Sequence, residues 1–332
     1  MNPQNIINMK ARNILQALTA LLAALPICVF TSCSDGEDVG VADTRTEVKF
    51  TATLADEGGS RTDDGNTGAA PTNPYQPTAG ELTLFADELN SEKKATYAYS
   101  SSKGWVKFSF VPLYWGDCTP DNNGKYTFYA VAPAVPAGMA GKVHLDQSTE
   151  AFYTESDLLA ARVDYTPESE DKNAWVVPIE LNHLMSRLVI QLSENESLPT
   201  GIDLSDAQVT VGGLKYEYTL EVTDENNAPV ATVQQNGTVA TSMMPLKNTD
   251  GTYSLLFPAQ NAPLSAPLSI QVKVEGYTFT YTANLDIAFA AGKSKLCNLT
   301  VNVGDKEAGI TAIIADWSPM AGTGSTTPDF SN

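Results

Sequence analysis

Few residues in this chain have types and spacing suited to chemistry. Gly292-Lys293-Ser294 ends like a phosphate-binding loop, in which glycine backbone amides cradle phosphate and the lysine neutralises it. The glycine needed five positions earlier is Ile287 and no helical pattern follows, so the segment reads as a turn entering a strand. Asp121, Asn122 and Asn123 offer oxygens, but without the alternating spacing of a calcium loop, and they too read as a turn. His144 and His183 are the only histidines, too few for a multi-histidine zinc site. His183 precedes the apolar face Leu188, Ile190, Leu192 and fits a hydrogen-bonded structural role. Carboxylates could pair for glycoside hydrolysis, which depends on a separation that sequence does not encode. Tyr75, Tyr97, Tyr99, Trp105 and Trp115 could stack on sugar rings, although Trp105 and Trp115 stand in strand-like runs where sandwich packing accounts for them. No catalytic group, metal site or cofactor is expected.

Composition bounds the partners. Among 332 residues, 20 Lys plus Arg face 39 Asp plus Glu, a net charge of −19. Such a surface repels phosphate backbones, which excludes nucleic acid as a partner. The amino terminus reads as an address. Lys10 and Arg12 precede an apolar run over 14–30, interrupted by Gln16, Thr19 and Pro26 and marginal for a spanning helix. Small Thr31 and Ser32 then precede Cys33. This resembles the loose lipobox of Gram-negative gut and oral bacteria, which implies a signal peptide over 1–32, lipid attachment at Cys33 and an outer-membrane anchor facing the cell surface. The acidic Ser34-Asp35-Gly36-Glu37-Asp38 that follows, within a linker over 33–46, resembles a surface-export tag or is a solvated spacer. Without residues 1–32 the chain carries 18 basic and 39 acidic residues, net −21. Cys118 and Cys297 then remain. Cys297 shares a face with Leu299, Val301 and Val303 and reads as a buried thiol, whereas Cys118 lies in a polar loop, so a bridge between them is not expected.

From residue 47 onward the dominant period is two, as in half-buried strands. Val48, Phe50, Ala52 and Leu54 face one way, and Lys49, Thr51 and Thr53 the other. Ile270, Val272 and Val274 alternate with polar residues up to Gly276, after which Tyr277, Phe279 and Tyr281 continue as a hairpin. Similar runs at 80–86, 105–110, 125–132, 176–181, 188–192, 208–211, 228–234, 253–257, 296–303 and 310–315 are separated by turn residues. Only 154–162 reads as helical, with Ser156 as its N-cap. The pattern predicts an all-β chain of two tandem antiparallel β-sandwich domains, 47–174 and 175–317, parted in the polar stretch 164–174. A mobile loop is expected over 56–77 and a flexible tail over 318–332.

Several segments together resemble the fimbrillin family of type V pilus lipoproteins. They are Val111-Pro112-Leu113-Tyr114-Trp115, Tyr126-Thr127-Phe128-Tyr129-Ala130-Val131-Ala132-Pro133, Asp157-Leu158-Leu159-Ala160, Leu181-Asn182-His183-Leu184-Met185-Ser186-Arg187-Leu188, Leu255-Leu256-Phe257-Pro258-Ala259-Gln260, and Ala291-Gly292-Lys293-Ser294 ahead of Asn298-Leu299-Thr300-Val301. The resemblance implies two transthyretin-like domains, an arginine-specific protease that removes the first strand, and polymerisation with other fimbrial subunits by donor-strand exchange.

In physical terms, four inward side chains and several backbone bonds over 47–54 contribute on the order of 10 kcal/mol, and removing them opens a groove that another strand can fill. Arg61, after that strand within Gly58-Gly59-Ser60-Arg61-Thr62-Asp63-Asp64, is the expected cleavage site; cutting at Arg45 would sever the anchor and leave the strand. The resemblance places the donor near the carboxy terminus, where Ile310, Ala312 and Ile314 alternate with Thr311 and Ile313. If 309–317 completes its own domain, the chain accepts a strand and gives none, as a tip or accessory subunit would. A host or bacterial surface ligand fits an adhesive role. The competing reading is a monomeric surface lipoprotein that binds glycans.

Overall fold

The computed structural model describes residues 45–55, 81–100, 102–109, 111–133, 135–194, 203–224, 227–303 and 308–317. Cys33, Arg61 and Tyr75 lie outside them, as do the acidic linker up to residue 44, all of the 56–77 loop and the 318–332 tail. The described residues fall in one unit that begins at Arg45.

The first half contributes β1 (Lys49–Leu54), β2 (Glu81–Ala86), β3 (Lys94–Ser100), β4 (Gly104–Lys107), β5 (Tyr126–Ala132), β6 (Ala140–Lys142), a short helix α1 (Glu150–Glu155), β7 (Leu159–Tyr165) and β8 (Val176–His183). All but β6 and α1 form a seven-stranded sheet in the order β1-β8-β7-β5-β2-β3-β4. One face encloses a core of Val48, Leu82, Leu84, Phe128, Val177, Ile179, Leu181 and the indoles of Trp115 and Trp175. The opposite face of its central strands, through Phe85, Tyr129, Val131 and Ala160, joins a second core made largely by the other half of the chain. Covered on both sides, β2 and β5 lose the strict alternation that β8 keeps.

The second half contributes β9 (Met185–Glu194), β10 (Gln208–Gly212), β11 (Leu214–Lys215), β12 (Glu217–Val222), β13 (Pro229–Val233), β14 (Val239–Ala240), β15 (Leu246–Lys247), β16 (Tyr253–Pro258), β17 (Gln260–Ala262), β18 (Ser269–Val274), β19 (Tyr277–Thr282), β20 (Ile287–Phe289), β21 (Ser294–Val303) and β22 (Ala308–Trp317). Its five-stranded sheet runs β15-β16-β9-β21-β22, and three-stranded sheets run β10-β18-β19 and β13-β12-β6. Leu188, Ile190, Leu255, Phe257, Ile270, Val272, Phe279, Cys297, Leu299 and Val301 fill the space between. The β18–β19 hairpin turns at Glu275 and Gly276, both at positive φ, which a two-residue turn matched to the twist of the strands requires.

The all-β fold agrees with the sequence pattern, and four details depart from it. The pairs β1–β8 and β9–β21 are parallel, so the sheets are not purely antiparallel. A boundary at 174/175 would cut the first sheet, because β8 pairs with both β1 and β7; the sheets change after His183. The cause is that 166–175 is only the connection between adjacent strands β7 and β8, so its polarity marks a surface loop rather than a domain linker. The halves are also stitched together, since β6 pairs with β12. Finally, no helix spans 154–162. The helix is Glu150–Glu155 with Thr149 as N-cap, and Ser156 sits at its C-terminal end. Leu159–Tyr165 is drawn into the sheet by pairing along the whole of β5, so tertiary pairing overrides the helix propensity of Leu and Ala.

Candidate functional site

Strand β1 forms one end of the seven-stranded sheet and runs parallel to β8 in register from Lys49 opposite Val176 to Leu54 opposite Leu181. Just before it, the chain is held on its other side: Val48 donates its N–H to the Leu113 carbonyl at 2.8 Å, and Trp115 donates to the Thr46 carbonyl at 3.0 Å. Just after it, the Ala55 N–H donates to the Leu181 carbonyl at 2.9 Å. Two side chains add to this, Lys49 Nζ donating to the Asn173 carbonyl and Thr53 Oγ1 to that of Ile179. The four alternating residues lie as the sequence predicts. Val48 and Ala52 are buried, while Phe50 and Leu54 are partly buried and pack on the same core. A parallel strand at a sheet end has one ladder to lose, of the slightly weaker kind.

The sheet curls so that its two ends approach. The ring of Phe50 in β1 lies edge-on to Tyr97 of β3, centroids 4.8 Å apart, and 5.9 Å from Trp105 of β4. Trp105 in turn meets Tyr99 edge-on at 5.4 Å. Deeper in, Trp115 is ringed by Trp175 at 4.8 Å, Tyr126 at 5.1 Å, and Phe128 and Tyr165 at 5.6 Å. Without β1, the β8 edge would be unpaired and the core that holds Val177, Ile179, Leu181 and Tyr97 would lose the side chains that close it, leaving an apolar trough.

The other sequence-predicted residues separate from this site. Ile310, Ala312 and Ile314 lie in β22, opposite Val301, Leu299 and Cys297 of β21, at the far end of the five-stranded sheet. Arg45 is described, with its guanidinium 4.3 Å above the Tyr114 ring. His183 Nδ1 lies 2.9 Å from Asp157 Oδ1, a hydrogen-bonded pair within the fold. Asp121 accepts from the N–H groups of Asn123 and Lys125, a local turn. Among the described residues no cluster of metal-ligating side chains occurs. Of the aromatics considered for sugar stacking, Trp115 and Tyr97 are core residues, and Trp105 contacts Phe50 with Tyr99 packed behind it.

Sequence reading misses the closure of β1 against Leu113–Trp115 and the aromatic pocket around Phe50. A hint of the first is the apolar spacing of Val111, Leu113 and Trp115, which resembles a strand end broken by Pro112.

Cys118 and Cys297 are unbridged, buried, and belong to different cores. Burial pushes both thiols up to about 12, so each is protonated at neutral pH. In the folded protein at pH 8, labelling of either by a thiol reagent should be slower than in denaturant by about two orders of magnitude or more. Mass spectrometry of the labelled peptides checks this; equal rates in the two states would show that the cores do not protect them.

A sequence profile described as fimbrillin-like matches residues 86–317, most of the chain. No curated protein matches with significance. Among solved structures, the chain is similar to a candidate cell adhesion protein of Bacteroides uniformis, at 19% identity and a TM-score of 0.53, covering 82% of this chain and 99% of that one. It is similar to another from Bacteroides ovatus at 15% identity and a TM-score of 0.55, covering 82% and 98%. The tip fimbrial protein Mfa3 of Porphyromonas gingivalis matches at 9% identity and a TM-score of 0.42, covering 72% and 94%.

Proposed function

Because this chain belongs to the fimbrillin-like family, we propose that it serves as a structural or adhesive subunit of a cell-surface fimbria, assembled by exchange of its first strand. The observation that carries the reading is β1 itself. It is a short edge strand whose inward side chains complete a core that the rest of the sheet has already formed. Its loss leaves paired needs on both sides of one trough, unmet backbone groups on β8 and an uncovered apolar floor, and an extended strand from another subunit meets both.

On this reading Cys33 carries the lipid that holds the chain to the outer membrane until an arginine-specific protease cuts after Arg61. The cut lies between β1 and β2 in sequence, so it releases anchor and strand together. The ten-residue β22 is engaged along its length with β21, which supports a subunit that accepts a strand and gives none, hence a tip or accessory position. Immunogold labelling of negatively stained cells is the test. Label on fibre ends or at intervals along them is expected, and a cell body labelled evenly, with fibres bare or absent, would contradict the fimbrial role.

A further inference from the structure

The pocket around Phe50 does more than bury a ring. Along β1 the inward positions read Val48, Phe50, Ala52, Leu54: one aromatic followed by one small residue. Ala52 is 6% exposed and inside the core, so a larger side chain at that position overpacks it. Phe50 meets Tyr97 and Trp105 with Tyr99 behind, and ring pairs of this kind add to the simple burial of area. The small slot fixes the register of an occupying strand, and the aromatic slot ranks the strands that fit that register.

The chain contains a second segment with nearly the same pattern. Placed so that Ala312 takes the Ala52 position, Ile310-Thr311-Ala312-Ile313-Ile314 overlays Phe50-Thr51-Ala52-Thr53-Leu54. Threonine and alanine coincide and Ile314 replaces Leu54 at similar volume, while Ile310 stands for Phe50, Ala308 for Val48, and Ile313 for Thr53, whose hydroxyl donates to the Ile179 carbonyl. A second copy's β22 therefore fits the register but fills the aromatic slot with a smaller side chain that makes no ring contact.

We propose that Tyr97, Tyr99 and Trp105 form a selectivity clamp that makes the vacated trough prefer a strand carrying an aromatic residue two positions before a small one. The preferred partner is then a different subunit bearing that pattern, and self-association through β22 is disfavoured. This rests on the strand-exchange reading above.

The test uses the full chain with a protease site inserted between residues 56 and 80, so that nicking does not depend on Arg61 and β1 is held without a covalent link. Labelled peptides of residues 46–55 and 308–317 compete for the trough, each also made with its slot residue exchanged, Phe50→Ile and Ile310→Phe. The 46–55 peptide should bind roughly tenfold more tightly than its Phe50→Ile form, and Ile310→Phe should strengthen 308–317 by a similar factor. In a Trp105→Leu chain both differences should shrink towards unity. Equal affinities of the paired peptides for the unsubstituted chain, an arm that needs no variant protein to fold, would overturn the clamp. If 46–55 itself fails to rebind, strand exchange is what falls.

Discussion

A chain lacking residues 46–55 is expected to lose most of its folding stability, and to regain it when those residues are supplied as a separate peptide. Val48 and Ala52 bury nearly all of their side-chain surface, and Phe50 and Leu54 part of theirs. Their burial is worth on the order of 5–8 kcal/mol. The ladder to β8 and the contacts of Thr46 and Val48 with Leu113–Trp115 add several bonds at about 1 kcal/mol each. The sum is comparable to the ~5–15 kcal/mol that holds a typical domain together. The melting temperature should therefore fall by roughly 20 °C or more, and saturating peptide should recover most of that fall. A single substitution tests the same geometry more gently: Ala52→Asp places a charge without a partner in the core and should destabilise by several kcal/mol, about 3 or more. Unchanged melting in the deletion would mean that β1 rests on the sheet without contributing to it.

The second large effect is expected from the protease. Digestion of the full chain with an arginine-specific enzyme should give a new amino terminus at Thr62 and, in the presence of a subunit that donates a strand, complexes that survive detergent, and Arg61→Ala should abolish both. Arg61 lies outside the described residues, so the expectation rests on its place in sequence between β1 and β2. Arg45 offers a useful contrast. It stacks on Tyr114 ahead of β1, and a cut there frees the anchor while the strand remains bonded to β8 and Leu113. Arg45→Ala should accordingly leave multimer formation intact. Cys118 provides a built-in reporter, because it belongs to the core that β1 covers whereas Cys297 belongs to the other. Release of β1 should speed labelling of Cys118 and leave Cys297 protected. Amino-terminal sequencing and gel analysis of the digest decide the matter, and a fully cleaved protein that takes up no strand from such a subunit would argue against assembly by exchange.

Much of this architecture is legible in the sequence, for identifiable reasons. Val48 to Leu54 and Ile270 to Tyr281 alternate cleanly because one face of each strand meets a core and the other meets water or a polar neighbour. Where a strand is covered on both faces, as at Leu82 to Ala86, the alternation disappears and only length and β-propensity point to a strand. Leu159 to Ala161 shows the cost: a short run of good helix formers becomes a strand because Tyr126–Ala132 lies beside it. The polar 166–174 segment looks like a linker because loops and linkers share composition, and only the pairing of β8 with β7 tells them apart. The site was half legible. The inward set of β1 follows from period two, but the aromatic pocket joins residues 50, 97 and 105 across a curled sheet, and no local pattern brings those together.

The most direct test of a replaceable first strand is hydrogen–deuterium exchange with mass spectrometry, on the monomer and on multimers formed with a strand-donating subunit after processing. The peptide 46–55 should be protected in the monomer and absent from the multimers. The β8 amides over 176–181 should stay protected in both, because a different strand has taken the place beside them. Multimers that still contain 46–55, or in which 176–181 exchanges freely, would contradict the account.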